Sequence, residues 1–449
     1  MDEKTLHIAM YPWFSMSHIN AFLQLSNKLA ERGHTISFLL PAKTQAKFEP
    51  FNLQKHHITF IGITVPSVDG LPPGAETTAD VPFTLHSLVM TAMDRTEPAI
   101  EAVVSEIKPH FILYDFTHWL PPLAHKLGIK AIHYCFISSA TIGYTLSPER
   151  KPLDDENHIL TEADMLNPPP SFPPSQIKLF AREARRLVAG AASKFGGIPF
   201  RQRQFLALTK CDAIAFKTCR EIEGPYYDYV ESQFGKPVIL AGPVLPEPPR
   251  SALEEKWDTF LCGFKAKTLI YCAFGSECTL NKDQFQELLL GFELTGLPFL
   301  AALKPPMGCD DVESALPEGF EERVRGRGLV QGGWVQQQLI LNHPSIGCFV
   351  THCGSSSLSE AMVTDCQLVL LPNVGDQIIN ARLMARDLKV GVEIERNEED
   401  GLLTREGVCK TVMAVMDHHD ENIKVGKQVK ENHAKHRELL LSPGLEDSC

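Results

Sequence analysis

Apolar residues in this chain cluster into short runs separated by longer stretches of helical spacing. His7–Trp13 is a nearly continuous apolar run, and Ile19, Phe22, Leu23, Leu25 and Leu29 then share one helical stripe. Gly33 stops that helix, and Thr35–Leu40 returns as a strand, which predicts a βαβ unit at the start of the chain. Further strands are predicted at Ile58–Ile61, Phe111–Tyr114, Ala131–Tyr134 and Ala213–Phe216, with helices such as Ala99–Ile107 and Leu120–Leu127 between them. The runs do not alternate strictly, as expected of parallel strands covered on both faces. Charge and proline break the pattern between Ser147 and Pro174, which reads as a long irregular excursion from the first domain. The proline-rich stretch Ala241–Arg250 can continue neither a helix nor a strand and reads as a linker. Beyond it come a strand at Thr268–Phe274, a helix at Lys282–Thr295, and strands at Pro298–Leu303, Gly328–Gln331, Cys348–Thr351 and Gln367–Leu371. A charged helix is predicted at roughly Asp420–Leu441. The expected organisation is α/β: domains 1–240 and 251–430, each a doubly wound parallel sheet, a linker at 241–250, and a terminal segment 431–449.

Composition narrows the function classes. With 44% hydrophobic and 22% charged residues, the 449-residue chain has the make-up of an ordinary globular protein. Its 43 basic and 55 acidic residues give a formal charge of −12, which argues against general affinity for nucleic acid or an anionic membrane. The opening apolar run is short and soon interrupted by Pro12, so neither a signal peptide nor a membrane span is expected, and a cytoplasmic location follows. The 12 cysteines include no CxxC pair and no Cys/His cluster at zinc-ligand spacing, so reduced, packed thiols are expected. Neither domain carries a GxGxxG turn after its first strand, which weighs against a dinucleotide-dependent dehydrogenase. Two open α/β sheets in tandem imply a ligand cleft at the carboxyl ends of their strands.

Several polar residues fall at such strand ends. His18 follows the first strand and can take up a proton near neutral pH, or can simply be a polar residue at a helix start. Asp115 ends the strand Phe111–Tyr114 and can orient an imidazole or cap the next helix, while His118 on the same loop is a competing partner. In the second domain the strand ending at Thr351 is followed by a His352-Cys353-Gly354 turn and then by Ser355-Ser356-Ser357, opening a helix. A helix that starts directly after a strand aims free N–H groups and its positive dipole end at one point, where phosphate fits. Ser357 and Glu360 also match a capping box, and Asp376-Gln377 can cap the helix that continues through Ile378. Trp334 is either a core residue or an aromatic platform.

The segment Trp334–Gln377 resembles the motif of plant family-one UDP-sugar glycosyltransferases, and the resemblance extends over essentially the whole chain. It implies the two-domain GT-B fold, with the UDP-sugar on the C-terminal domain, the acceptor on the N-terminal domain, and the last helix packing back on the first domain. It further implies that Trp334 stacks on uracil, Val335 pairs with the base through its backbone, Gln337 lies near the ribose, and Glu360 accepts the ribose hydroxyls. His352, Ser357 and Ser276 would contact the pyrophosphate, Gly354 and Ser356 would form the turn and helix start beside it, and Asp376 and Gln377 would grip the donor sugar. His18 and Asp115 would be the general base and its partner, with no metal and no cofactor beyond the sugar donor. Many members have Trp-Asn where this chain has Ser355-Ser356, a serine-rich variant that looks most like the branch extending the sugar of flavonoid or anthocyanin glucosides. Within that branch the resemblance favours flavonoid 3-O-glucoside rhamnosyltransferases. UDP-rhamnose, a flavonoid glucoside and a monomeric enzyme are therefore the expected donor, acceptor and assembly.

Overall fold

The computed structural model describes residues 5–150, 160–245, 251–275, 278–416 and 424–445. Two compact units share the chain. The first holds residues 1–173 and 187–244, and the second holds 174–186 and 245–445. The segment Pro174–Arg186, expected to stay with the first domain, therefore belongs to the second unit.

The first unit is built on β1 (His7–Tyr11), β2 (Thr35–Pro41), β3 (Ile58–Ile63), β4 (Phe111–Tyr114) and β5 (Lys130–Cys135). A small hairpin, β6 (Lys194–Phe195) and β7 (Ile198–Pro199), lies outside the sheet, which is completed by β8 (Ala213–Phe216) and β9 (Val238–Leu240). The sheet has seven strands in the order β3-β2-β1-β4-β5-β8-β9, all parallel. Side chains of successive strand residues point to opposite faces, and both faces are apolar here. Ala9 and Tyr11 enter one core with Ile112 and Tyr114, while Ile8 and Met10 enter another with Phe38 and Leu40. β1 stops at Tyr11 rather than Trp13 because Pro12 lacks an N–H for the ladder, and a tight turn follows in which Ser15 N donates to Trp13 O at 2.7 Å. The helix Met16–Glu31 then begins, with His18 in its first turn.

The second sheet has six strands in the order β12-β11-β10-β13-β14-β15, again all parallel. They are β10 (Leu269–Ala273), β11 (Phe299–Ala302), β12 (Gly328–Gln331), β13 (Ile346–Thr351), β14 (Gln367–Leu370) and β15 (Gly391–Glu393). Ile270 and Cys272 of β10 face a core filled by Phe285, Leu288, Val350 and Val408, and Tyr271, on the opposite face, stacks on Phe349 with ring centroids 5.2 Å apart. The two chain orders reverse direction between β1 and β4 and between β10 and β13, and such reversals open a crevice at the carboxyl ends of the strands.

The edge strands β9 and β15 were not anticipated from the sequence, since each is only three residues long. Between the fifth strand and the irregular stretch that begins at Ser147 lies the helix Ser139–Leu146, whose start is fixed by the Ser138 side chain accepting from Thr141 N. The terminal helix runs Lys424–Leu440, and its expected beginning at Asp420 lies outside the described residues. It lies in the second unit, where Arg437 donates to the Val363 carbonyl at 3.1 Å and Asn432 to the Lys389 carbonyl at 3.2 Å. Residues 246–250 of the expected linker and 446–449 of the terminal segment are likewise outside the described residues. The described cysteines are free thiols, most of them buried, and among the described residues no helix is long and apolar enough to cross a membrane.

Candidate active site

At the reversal in the first sheet, the end of β1 supplies the turn that leads to His18, and the end of β4 supplies Asp115. His18 Nδ1 and Asp115 Oδ2 are 2.6 Å apart. The other carboxylate oxygen, Oδ1, accepts the backbone N–H groups of Trp13 at 2.7 Å and Phe116 at 2.8 Å. Three hydrogen bonds therefore hold the aspartate as an acceptor, which places the imidazole proton on Nδ1 and leaves Nε2 with its lone pair. The histidine side chain is 14% exposed and the aspartate side chain 5%, so the pair sits at the surface of the unit with its anionic end covered. Phe116 and Phe136 meet the imidazole edge-on, with centroids 5.3 and 4.2 Å away, and Trp13, Phe195 and Phe200 extend the aromatic surface. His118 does not compete for the aspartate. Its Nδ1 lies 3.1 Å from Nη1 of Arg203, a guanidinium that also forms a two-point ion pair with Asp94. Burial and the adjacent Arg203 push the His118 pKa down, so it accepts a hydrogen bond as a neutral ring.

At the reversal in the second sheet, β13 ends at Thr351 and the helix Ser355–Met362 begins after a turn of three residues. The turn between them carries Cys353 in the left-handed region, at φ 66°, braced by Cys353 N donating to Thr351 Oγ1 at 3.2 Å. Gly354 is the residue before the first helical turn, and no side chain caps that end. The capping box suggested by Ser357 and Glu360 is therefore not formed, because Ser357 already lies within the helix. Instead Gln337 reaches from the neighbouring helix Gln337–Leu341, its Nε2 lying 2.7 Å from Glu360 Oε2 and 3.2 Å from Ser357 Oγ. Gln338 donates to the other Glu360 oxygen at 3.3 Å, and Tyr271 OH donates to Gln337 Oε1 at 3.4 Å. Glu360 is thus oriented by two glutamines, one on each carboxylate oxygen.

His352 is packed between glycines. A Cβ on Gly354 would lie 2.5 Å from the His352 Nε2, and one on Gly275, whose φ is +64°, would lie 3.1 Å from the same atom. Burial pushes the His352 pKa down to about 4, so the ring is neutral and acts as a hydrogen-bonding group, not a cation. Among the described residues its Nδ1 finds no hydrogen-bond partner. Ser356 lies half-buried in the first turn of the Ser355 helix. Ser276 lies outside the described residues.

Trp334 is 82% exposed despite its size, which excludes the core role and leaves a flat apolar face free for stacking. The next residue, Val335, is buried, and its carbonyl accepts Gln337 N at 2.9 Å across an inverse γ-turn centred on Gln336, with φ −77° and ψ 69°. Asp376 and Gln377 begin the helix Asp376–Arg382, but Gly375 is the residue before it and neither side chain caps it. Gln377 Oε1 accepts from Asn373 N and Val374 N, each at 3.0 Å, so the side chain holds the preceding loop and can offer a ligand only its N–H groups. Asn380 donates to Asp376 Oδ2 at 3.0 Å and to the Cys353 carbonyl at 3.2 Å, tying this helix to the His352 turn. Tyr271, Gln338 and Asn380 were not singled out from sequence. Only Asn380 left a signal there, its position four residues after Asp376 on a helix.

Comparison with known proteins follows the same lines. A family model described as "UDP-glucoronosyl and UDP-glucosyl transferase" matches residues 326–433, the stretch that holds Trp334, His352, Glu360 and Gln377. The chain is 61% identical over 449 residues to cyanidin 3-O-galactoside 2''-O-xylosyltransferase of Actinidia chinensis var. chinensis, covering 100% of this chain and 97% of that one. It is 57% identical to anthocyanidin 3-O-glucoside 2''-O-glucosyltransferase of Ipomoea nil, covering 98% and 95%. Its fold matches the crystal structure of a UDP-glucose: anthocyanidin 3-O-glucosyltransferase in complex with UDP, with a TM-score of 0.76, 22% identity, and coverage of 99% and 97%.

Proposed function

The chain belongs to the UDP-glycosyltransferase family, and on that premise we propose that it lengthens the sugar of an anthocyanidin 3-O-glycoside by moving xylose from UDP-xylose onto a hydroxyl of that sugar. In this reading His18 Nε2 takes the proton of the acceptor hydroxyl. The oxygen forms its bond to the anomeric carbon while the bond from that carbon to UDP breaks, UDP leaves with the electron pair, and the configuration inverts. Asp115 keeps the proton on Nδ1 and stabilises the imidazolium that forms. Trp334 would stack on uracil, Glu360 would accept the ribose hydroxyls, and the start of the Ser355 helix with His352, Ser356 and Ser357 would receive the diphosphate. Asp376 and the Gln377 amide N–H groups would meet the donor sugar. None of these groups is a cation, so the departing charge would be met by the helix dipole and neutral donors.

The observation that carries the chemistry is the 2.6 Å His18–Asp115 hydrogen bond at a sheet reversal. The donor and acceptor classes are supported by the two relatives, whose names give xylose and glucose as transferred sugars. UDP-rhamnose, which the resemblance within that branch favoured, is named by neither and serves as a control donor. The test is a product assay of UDP-xylose, UDP-glucose and UDP-rhamnose against anthocyanidin 3-O-glycosides and their aglycones, with and without EDTA. A pentosylated glycoside in both conditions is the expected product. Product from an aglycone alone would overturn the sugar-extending reading, and preference for another donor would overturn the choice of xylose.

A further inference from the structure

Away from the donor-binding residues, the second unit brings a thiol, an imidazole and a carboxylate together on its surface. Asp258 and Cys262 are one helical turn apart on the helix Glu255–Cys262, and His343 lies just beyond the end of the helix Gln337–Leu341. The ligand atoms of all three lie within 4.8 Å of one another, with Cys262 Sγ 3.7 Å from His343 Nε2 and 3.9 Å from Asp258 Oδ1. No sequence motif announces the group, because 81 residues separate Cys262 from His343.

We propose that Asp258, Cys262 and His343 form a binding site for a zinc-like divalent cation. Metal–sulfur and metal–nitrogen bonds of about 2.3 and 2.0 Å at a tetrahedral angle put sulfur and nitrogen about 3.5 Å apart, close to the separation found here. Thiolate, imidazole and carboxylate together favour zinc or cobalt over magnesium or calcium, which prefer all-oxygen sites. The histidine is held for the task. Its backbone N–H donates to Ile340 O at 2.9 Å, its carbonyl accepts Ile346 N at 3.1 Å, and its ring Nδ1 accepts the Ser345 backbone N–H at 3.3 Å with Ser345 Oγ 2.8 Å away, so metal binding at Nε2 requires the ring proton to move to Nδ1 and donate to that hydroxyl. Buried Trp257 and Leu261 anchor the helix that carries the other two ligands. Three protein ligands leave a fourth position for solvent, and binding releases the thiol proton.

The site has a structural consequence. At its other end, the Glu255 helix is already tied to the loop before the Gln337 helix, since Glu254 N donates to Gln336 Oε1 at 2.7 Å and Gln336 Nε2 to Ala252 O at 3.0 Å. A cation on Cys262 and His343 closes the second end of this connection and fixes the short helix whose Gln337 and Gln338 hold Glu360.

The test is titration of the metal-stripped, reduced full-length chain with Co²⁺, read by absorption. One equivalent should bring up tetrahedral d–d bands with a thiolate-to-cobalt charge-transfer band. Zn²⁺ should displace it, and Cys262→Ser should remove the charge-transfer band while leaving the far-UV spectrum unchanged. His343→Ala should weaken Co²⁺ binding at least tenfold. A missing charge-transfer band, or one that persists in Cys262→Ser, would overturn the site. This outcome is independent of the sugar-transfer assay, which reads turnover in EDTA.

Discussion

At the scale of single residues, the geometry around His18 makes a sharp statement about tautomers. Asp115 Oδ1 is occupied by the N–H groups of Trp13 and Phe116, so Oδ2 alone faces the imidazole. In Asp115→Asn the amide oxygen would keep those two backbone donors, and the NH₂ group would turn toward Nδ1. The imidazole proton would then move to Nε2, where the base must be unprotonated. We expect kcat to fall by about 10²- to 10⁴-fold with UDP affinity unchanged by calorimetry, and near-normal turnover would remove His18 as the base. The second residue-scale prediction concerns Gly354, where a methyl would strike the His352 Nε2 at 2.5 Å. Gly354→Ala should raise the donor KM by about 10- to 100-fold, the worth of one hydrogen bond to a charged ligand, without lowering the melting temperature appreciably. Gly190→Ala, in open space on a helix, should leave transfer intact, and equal loss in both variants would refute the steric argument. Sequence placed His18, Asp115 and His352 near strand ends because each follows an apolar run. It could not reveal Gln338 or Tyr271, whose roles come from neighbours on other elements.

At the scale of elements, Pro174–Arg186 behaves unlike the rest of the proline-rich excursion. It docks on the second unit through charge. Arg382, its side chain 1% exposed at the end of the Asp376 helix, makes a two-point contact with Glu183 at 2.9 and 3.0 Å and also pairs with Glu393 of β15. Asp387 accepts from Ser175 Oγ at 2.7 Å and Gln176 N at 3.1 Å, so the segment is fixed at two places. Burial lowers the Arg382 pKa and Glu183 opposes that shift, the balance expected of a cation kept charged by its partner. Removing one member of such a buried group strands the others. Arg382→Met should therefore cost about 3–5 kcal/mol in denaturant unfolding and expose the 174–186 segment to limited proteolysis, and adding Glu183→Gln should recover part of that loss. Unchanged unfolding in the single variant would show that the group contributes nothing net. The sheets were legible from sequence because strands buried on both faces write themselves as apolar runs. This segment was not, since it has no hydrophobic period and its partners, Glu183 and Arg382, are 199 residues apart.

At the scale of the whole molecule, both doubly wound sheets followed from alternating apolar runs and helical stripes, whereas the unit that would claim the terminal helix did not. That helix is rich in charge, and the few residues that bury it include Val429 and His433. His433 belongs to a set of buried neutral histidines spread over both units, with His133 in the first and His352 in the second. Burial lowers each pKa to about 4, opposed for His133 by Asp115 and for His433 by the Met362 backbone. In the unfolded chain the same groups titrate near 6.5, so between pH 6.5 and 4 the unfolded state binds more protons and stability falls as pH falls. The contribution is full above pH 6.5 and gone below 4. A shift of this size corresponds to roughly 3 kcal/mol per histidine at full titration, enough to lower the melting temperature clearly between pH 7 and pH 5. His433 isolates the effect, since the residue is 2% exposed and among the described residues neither ring nitrogen has a hydrogen-bond partner of good geometry. His433→Leu removes the titrating group and two orphaned polar atoms while keeping an apolar side chain of similar bulk. The variant should therefore melt at a higher temperature than the parent at pH 5 and show a shallower fall from pH 7, measured by calorimetry so that the two units can report separate transitions. An identical pH slope in parent and variant would mean that His433 does not titrate in this window.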